Sequence, residues 1–221
     1  MSYLHQTPLA TLGEPVPAAP QGPVFDLNCA GACAPFTDAQ CRGVLQRAIL
    51  DAIALANNAA QKLEASAPDA ETVRLFRFFF GHPPSTNIPW ADNTESRVSV
   101  AKRFRAAANE LNGGRRTQYS CVCAPTAPAG RRGETRGPLD VRLCPAFWRP
   151  AGLRVSDRFF RAGVVLHEMI HQLFGEFLHD VSTVSMRVNA HCYEAFAMRL
   201  AGHAADPSDV RRCRPDLFPA A

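Results

Sequence analysis

Residues 164–171 read Val-Val-Leu-His-Glu-Met-Ile-His, a stretch in which two histidines lie four residues apart. On a helix, His167 and His171 share one face, where their neutral ring nitrogens can bind a single Zn²⁺. Glu168 projects about 100° around the helix from His167, so its carboxylate lies beside the metal and can take a proton from zinc-bound water. The spacing predicts a hydrolytic zinc site with Glu168 as the catalytic base. Two histidines that simply pack in the core or lie on the surface are the alternative interpretation.

Apolar residues around the two histidines recur at helical spacing. They fall on one arc of the helix, with the histidines at its edge: Leu166, Met169, Ile170, Leu173 and Phe177. This arrangement is typical of a buried helix that presents a metal-binding face to a cleft. We expect the helix to run from about 159 to 174 or 178, with Gly175 as a candidate end.

The composition favours one globular domain. Of the 221 residues, 47% are hydrophobic, which is enough for a core of ordinary size. The net charge of +4 comes from arginines spread along the chain. The arginine pairs at 115–116, 131–132 and 211–212 have no interleaved aromatic residues, so we interpret them as solvated surface and expect no nucleic-acid partner. No segment is long enough to span a membrane, so we expect no membrane partner, and we expect a monomer.

Cysteine content indicates the compartment. The chain has eight cysteines, at 29, 33, 41, 121, 123, 144, 192 and 213. This even number favours disulfide bonds in an oxidising environment, whereas a Cys-rich zinc module, the competing explanation, would require a Cys-x₂-Cys pair that does not occur. Cys121-Val-Cys123 suits a strand whose two thiols point to opposite faces, each towards its own partner. We expect a secreted or periplasmic protein, although no signal peptide is visible in this chain.

The order of the predicted elements indicates the fold. Prolines at 8, 15, 17, 20 and 23 predict an extended arm over residues 1–28, followed by a domain over 29–221. The stretch Thr37-Asp-Ala-Gln40 is a capping box that begins a long amphipathic helix ending near 65. Further helices are predicted at about 72–80, 95–112 and 187–200, and strands at about 118–124 and 140–147. The fold class is therefore α+β, mainly helical with a small sheet beside the helix that carries His167.

The last predicted helix has two distinct faces. His191, Glu194 and Met198 share one face, and the opposite face carries Tyr193, Phe196 and Leu200. If the aromatic face packs inwards, His191 and Glu194 can be presented to a cleft formed with the metal-binding helix.

Several short motifs occur in a fixed order along the chain. They are Arg-Phe-Phe-Phe-Gly at 77–81, Cys-Val-Cys at 121–123, Leu-Cys-Pro-Ala-Phe-Trp at 143–148, Ala-Gly-Val-Val-Leu-His-Glu-Met-Ile-His at 162–171 and Asn-Ala-His-Cys-Tyr-Glu-Ala-Phe at 189–196. In these motifs the chain resembles the deuterolysin-type zinc endopeptidases, or aspzincins, and most closely the peptidyl-Lys metalloendopeptidases. The resemblance implies a zincin-like fold, a Zn²⁺ cofactor and a protein or peptide substrate. It also implies that Cys123 pairs with Cys144, and Cys121 with Cys33 or a near neighbour. For the remaining cysteines we expect 192 to pair with 213, and 29 with 41.

The third zinc ligand has two candidates. In the family it is an Asp in a Gly-Thr-x-Asp-x-x-Tyr-Gly segment; Asp180 stands at the matching distance after His171, but Gly-Thr is absent and Thr183 replaces the Tyr. His191 lies twenty residues beyond His171, the spacing at which thermolysin-like enzymes bring a third ligand onto zinc. We favour His191, with Asp180 then orienting a ligand histidine.

The substrate pocket also departs from the family pattern. The resemblance implies two acidic residues in a lysine-binding pocket; Glu194 matches the second, whereas His191 stands in place of the first. We therefore expect a zinc endopeptidase without strict lysine preference. The alternatives are a catalytically silent zinc-binding module and a zinc amidase that acts on a non-protein amide such as peptidoglycan.

Overall fold

The computed structural model describes residues 22–29, 36–81, 94–121, 123, 130–149, 156–174 and 189–218. Within these ranges the chain is mainly helical and carries one four-stranded mixed sheet, so the α+β class is confirmed. The strands are β1 (Phe25–Asn28), β2 (Thr117–Ser120), β3 (Gly133–Gly137) and β4 (Asp140–Leu143). The helices are α1 (Asp38–Glu64), α2 (Ala70–Phe80), α3 (Thr94–Asn109), α4 (Pro145–Trp148), α5 (Asp157–Phe174), α6 (Ala190–Leu200) and α7 (Pro207–Cys213).

Helix α1 begins at the capping box that the sequence predicts. The Thr37 hydroxyl accepts from the backbone N–H of Gln40 at 3.4 Å, and the Gln40 side chain accepts from the backbone N–H of Thr37 at 2.9 Å. These reciprocal bonds satisfy two N–H groups that a helix start leaves without a partner in the helix. The helix packs against α3 and α5 and contributes one side of the hydrophobic core.

The sheet has the order β1-β2-β4-β3, in which β1, β2 and β4 are parallel and β3 is antiparallel to β4 at the edge. Strand β1 lies inside the range 1–28 that the sequence assigns to an arm, so Phe25–Asn28 belong to the sheet instead. Strand β4 ends at Leu143 and not at 147, because Pro145 begins α4 and has no N–H for a strand ladder. Strand β3 was not predicted, since Gly-Glu-Thr-Arg-Gly has no apolar alternation.

Two predicted helix boundaries differ from the structure. Helix α3 ends at Asn109 and continues as a π-helical turn over Glu110–Gly114, in which Gly113 has φ 108°. Glycine adopts this left-handed conformation without a steric cost, and the turn ends two residues before β2 begins. Helix α6 begins at Ala190, because Asn189 is its N-cap and accepts from the backbone N–H of His191.

An aromatic cluster holds α6 in the core. Tyr193 and Phe196 pack against Phe80 of α2 and Phe104 of α3, with ring centroids 5.0 to 5.9 Å apart. The predicted inward aromatic face of this helix is confirmed. The opposite side of α6 is also buried, and there His191 lies against His167 of α5.

Three disulfide bonds are described, and they join Cys29 to Cys121, Cys123 to Cys144 and Cys192 to Cys213. The last two are confirmed predictions. The predicted pairing of Cys29 with Cys41 is wrong: β1 and β2 are parallel with Asn28 opposite Ser120, so the residue that follows each strand meets the other. The expected partner of Cys121, Cys33 or a near neighbour, is therefore Cys29. Cys41 is also disulfide-bonded.

Among the described helices, none is long and apolar enough to cross a membrane.

Candidate metal centre

Helix α5 carries the two histidines of the sequence motif on one face. It begins at Asp157 and its described part runs to Phe174, in agreement with the predicted range. The Nε2 atoms of His167 and His171 lie 3.0 Å apart. Two nitrogens that share one tetrahedral zinc ion, each at about 2.0 to 2.1 Å, lie about 3.3 Å apart. The spacing of these two nitrogens is thus close to that of a shared metal ion.

Helix α6 brings His191 to the same place. The imidazole rings of His167 and His191 have centroids 4.4 Å apart, and both side chains are buried. The position of His191 in the first turn of α6 is set by the Asn189 cap, whose side-chain amide also donates to the backbone oxygen of Arg212 at 3.1 Å. The rings of His171 and His191 therefore both contact the ring of His167, with centroids 4.7 and 4.4 Å from it.

Two carboxylates lie close to the Nδ1 atoms of His167 and His191. Oε2 of Glu194 lies 3.2 Å from Nδ1 of His167, and Oδ1 of Asp209 lies 3.0 Å from Nδ1 of His191. In metal sites, a carboxylate on one ring nitrogen of a histidine fixes the tautomer and directs the other nitrogen to the metal. The contact of Asp209 with Nδ1 of His191 is a hydrogen bond, so the ring of His191 is arranged to use Nε2, whereas the approach of Glu194 to His167 does not have hydrogen-bond geometry.

A second grouping of potential ligands involves Glu194 itself. One ring nitrogen of His167, one of His191 and a carboxylate oxygen of Glu194 lie within 4.8 Å of one another. His171, however, meets His167 at Nε2, whereas Glu194 meets it at Nδ1. An ion that binds both histidines of the motif must use Nε2, which leaves Glu194 on the far side of the ring. Among the described residues, the grouping of His167, His191 and Glu194 is the one whose ligand atoms all lie within 4.8 Å of one another, and His171 joins the site through its contact with His167.

The catalytic candidate Glu168 is held by the edge strand β3. The Thr135 hydroxyl donates to Oε2 of Glu168 at 2.8 Å and lies 3.1 Å from the Glu168 backbone oxygen. The carboxyl group is buried, and this burial raises its pKa to about 7, although the hydrogen bond from Thr135 acts in the opposite direction. A carboxyl group with this pKa can both take up and release a proton near neutral pH.

Two glycines make room for the site carboxylates. A β-carbon on Gly133 would lie 2.4 Å from Oε1 of Glu168, and one on Gly163 would lie 2.7 Å from Oε1 of Glu194. Real β-carbons do not approach other atoms so closely, so any larger residue at either position would displace the carboxylate.

Arg132 supplies positive charge to the buried carboxylates. Its guanidinium lies 2.5 Å from Asp209, 2.7 Å from Asp206 and 3.9 Å from Glu194. Burial, together with the neighbouring Asp209, raises the pKa of Glu194 well above its usual value. For Asp209 burial acts in the same direction, but the hydrogen bond with His191 and the charge of Arg132 outweigh it and lower the pKa.

The site residues named from sequence are partly described. His167, Glu168, His171, His191 and Glu194 lie near one another on α5 and α6, and their roles stay predictions, whereas Asp180 and Thr183 lie outside the described residues.

Sequence reasoning missed four residues of the site: Arg132, Gly133, Thr135 and Asp209. The interpretation of the 131–132 pair as solvated surface is wrong for Arg132, whose side chain is only 20% exposed. Only the dense cluster of polar residues at 131–136 distinguishes this segment in the sequence.

No family model matches this chain, and no curated protein matches it in sequence. In three-dimensional structure the chain is similar to a zinc peptidase from Grifola frondosa, with a TM-score of 0.54 and 15% sequence identity. The alignment covers 76% of this chain and 100% of that chain. At this identity the likeness shows a shared fold.

Proposed function

We propose that this chain is a zinc-dependent endopeptidase in which Glu168 is the general base. The observation that carries the proposal is the approach of Nε2 of His167 to Nε2 of His171, with the buried Glu168 carboxylate on the adjacent residue. The fold shared with a zinc peptidase supports it. The resemblance of the motifs to the aspzincins also supports it. From this resemblance we propose that the sheet and α5 have the zincin-like arrangement.

The donor set suits zinc. Neutral imidazole is a preferred zinc ligand, and three histidines leave a fourth position for water or substrate. We assign His167, His171 and His191 as the ligands, supported by the 3.0 Å approach of the two Nε2 atoms of the motif and by the hydrogen bond between Asp209 and Nδ1 of His191. A bound Zn²⁺ would supply Lewis-acid polarisation of the scissile carbonyl and would lower the pKa of water.

The chain's own groups move the proton. Glu168 takes a proton from the attacking water, whose oxygen forms a bond with the carbonyl carbon of the substrate. The same carboxyl group then donates that proton to the amine nitrogen as the peptide C–N bond breaks. Thr135 and Gly133 support this step, because the first bonds one carboxylate oxygen and the second leaves space for the other.

The location, domain division, oligomeric state and substrate class of the protein are also proposals. The three disulfide bonds support a secreted or periplasmic location, since such bonds persist in oxidising compartments. We keep the division into an N-terminal arm and a metallopeptidase domain, with the arm ending before β1, and we keep a monomer that acts on proteins or peptides.

Casein and a mixture of peptides test the activity. The zinc-loaded protein should cleave them, a chelator should stop cleavage, and added zinc should restore it. Glu168→Gln should bind zinc with unchanged affinity but lose roughly 10²-fold or more in rate, because an amide cannot act as a base. Full activity of zinc-loaded Glu168→Gln would reject the mechanism. Cleavage of purified peptidoglycan but not of peptides would favour the amidase, and zinc binding without any hydrolysis would favour the silent module.

A further inference from the structure

A buried carboxylate on α7 links the candidate metal centre to the C-terminal part of the chain. Asp209 is 1% exposed, and both of its oxygens are engaged. Oδ1 lies 3.0 Å from Nδ1 of His191, and Oδ2 accepts a 2.5 Å hydrogen bond from Arg132. Asp209 thus stands between the histidine and a guanidinium.

Arg132 is itself held in place from several directions. Its Nη2 atom donates to the Ser208 hydroxyl at 2.9 Å and lies 2.7 Å from Asp206. Its guanidinium carbon lies 5.0 Å from the centre of the Phe160 ring. These contacts restrict the guanidinium to one position, and a fixed guanidinium holds the paired carboxylate of Asp209 in turn.

The pairing of Asp209 with Arg132 determines which ring nitrogen of His191 carries the proton. A carboxylate paired with arginine only accepts hydrogen bonds, so the His191 nitrogen facing Asp209 must be the donor. In a neutral imidazole the proton then resides on Nδ1, and Nε2 carries the lone pair that binds a metal. The direction of this hydrogen bond therefore selects the metal-binding form of the ring.

We propose that Asp209, fixed by Arg132, is the positioning residue that orients His191 for metal binding. The inference rests on the proposed zinc site, and it adds a residue that neither the motif nor the fold assigns. Asp209 acts through His191 and does not itself touch the metal. Its removal should weaken zinc binding by the roughly 10- to 100-fold that is typical of such outer partners.

Zinc affinity, measured by competition with a chromophoric chelator, tests the proposal in the full chain. Asp209→Asn should lower the affinity roughly 10- to 100-fold. The matched control is Asp51→Asn, because Asp51 is also a buried carboxylate paired with an arginine, Arg158, but no described contact joins it to His191. Asp51→Asn should change the zinc affinity less than about threefold, because no described contact joins Asp51 to the proposed ligands. Equal losses in the two variants, or normal affinity in Asp209→Asn, would overturn the proposal.

A double-mutant cycle separates positioning from a general effect on folding. In a His191→Ala background, Asp209→Asn should cause no further loss of zinc affinity, because the ring through which it acts is absent. Additive losses would mean that Asp209 acts by another route, and would reject the inference.

The protonation of His191 can also be measured in the unmodified protein, so this test does not depend on the folding of a variant. In the zinc-loaded chain, ¹⁵N NMR of the imidazoles should show the proton of His191 on Nδ1 and the metal on Nε2. The opposite tautomer would reject the role of Asp209 while leaving peptidase activity intact. Failure of the unmodified chain to bind zinc would reject the proposed function as well, so the two failures are distinguishable.

Discussion

Gly133 and Glu168 lie so close together that a β-carbon on the glycine would come within 2.4 Å of Oε1 of the glutamate. The edge strand β3 therefore packs directly on the carboxylate that we assign as the base. A second contact from the same strand, the hydroxyl of Thr135, binds the other oxygen. Between them, these two residues determine where the carboxylate lies.

The first prediction is that Gly133→Ala disables the site without removing the metal. The new methyl group must push the Glu168 side chain away, and a displacement of about 1 Å in a catalytic group can cost roughly 10²-fold in rate. The matched control is Gly137→Ala on the same strand, where a β-carbon meets nothing within 4 Å. We expect Gly137→Ala to retain activity and both variants to retain zinc, as measured by peptide cleavage and metal content. Normal activity in Gly133→Ala would show that Glu168 works from a different position.

The second prediction concerns the third zinc ligand. His191→Ala should lose more zinc affinity than the roughly 10- to 100-fold expected for an outer partner, because it removes a ligand atom. Asp180→Ala should lose less, and chelator competition on the two variants compares them directly. Near-normal affinity in His191→Ala together with a large loss in Asp180→Ala would assign the metal to Asp180.

The third prediction is that the Cys192–Cys213 bridge supports the metal centre. Cys192 follows His191 directly, and Cys213 lies one helical turn after Asp209, so the bridge joins the same two segments as the contact between His191 and Asp209. A double Cys→Ser change at 192 and 213 should lower the free energy of unfolding by about 2 to 5 kcal/mol and should also weaken zinc binding.

A second disulfide bond serves as the control for this bridge. The Cys29–Cys121 bridge joins the ends of β1 and β2, and neither cysteine adjoins a described site residue. Its double Cys→Ser variant should lose at least as much stability in denaturant titrations, because the bridge closes a longer loop, but should keep its zinc affinity. Equal loss of zinc affinity in both variants would attribute the effect to general destabilisation.

The fourth prediction is that cleavage is not confined to sites before lysine. The role of Glu194 as a pocket residue stays a prediction, but its carboxylate lies 3.2 Å from His167 and 3.9 Å from Arg132. Burial raises the pKa of Glu194 and so disfavours its charged form, and the nearby guanidinium offsets the charge that remains, so the group attracts a substrate ammonium only weakly. Sequencing the products of a whole-proteome digest measures the preference, and strict cleavage before lysine would contradict this account.

The local patterns of the sequence determined the main helices and the shared face of the two motif histidines. Helix α1 follows from the capping box at Thr37, and the shared face of His167 and His171 follows from the 3.6-residue period of a helix. The aromatic face of α6 follows from the same period. Each of these features depends on residues within a few turns of one another, so the sequence alone is sufficient to predict them.

The surroundings of the catalytic groups depended on tertiary structure. Strand β3 has no apolar alternation and exists because it pairs with β4, and that pairing places Gly133 and Thr135 on Glu168. The pairing of Cys29 with Cys121 required the parallel register of β1 and β2.

The contacts of Asp209 at the candidate metal centre likewise could not be predicted from the sequence. Asp209 meets His191 across 18 residues, and Arg132 meets Asp209 across 77. Such contacts leave no periodic signal in the sequence, because they form only when separate elements pack into one core and the buried charges must find partners there.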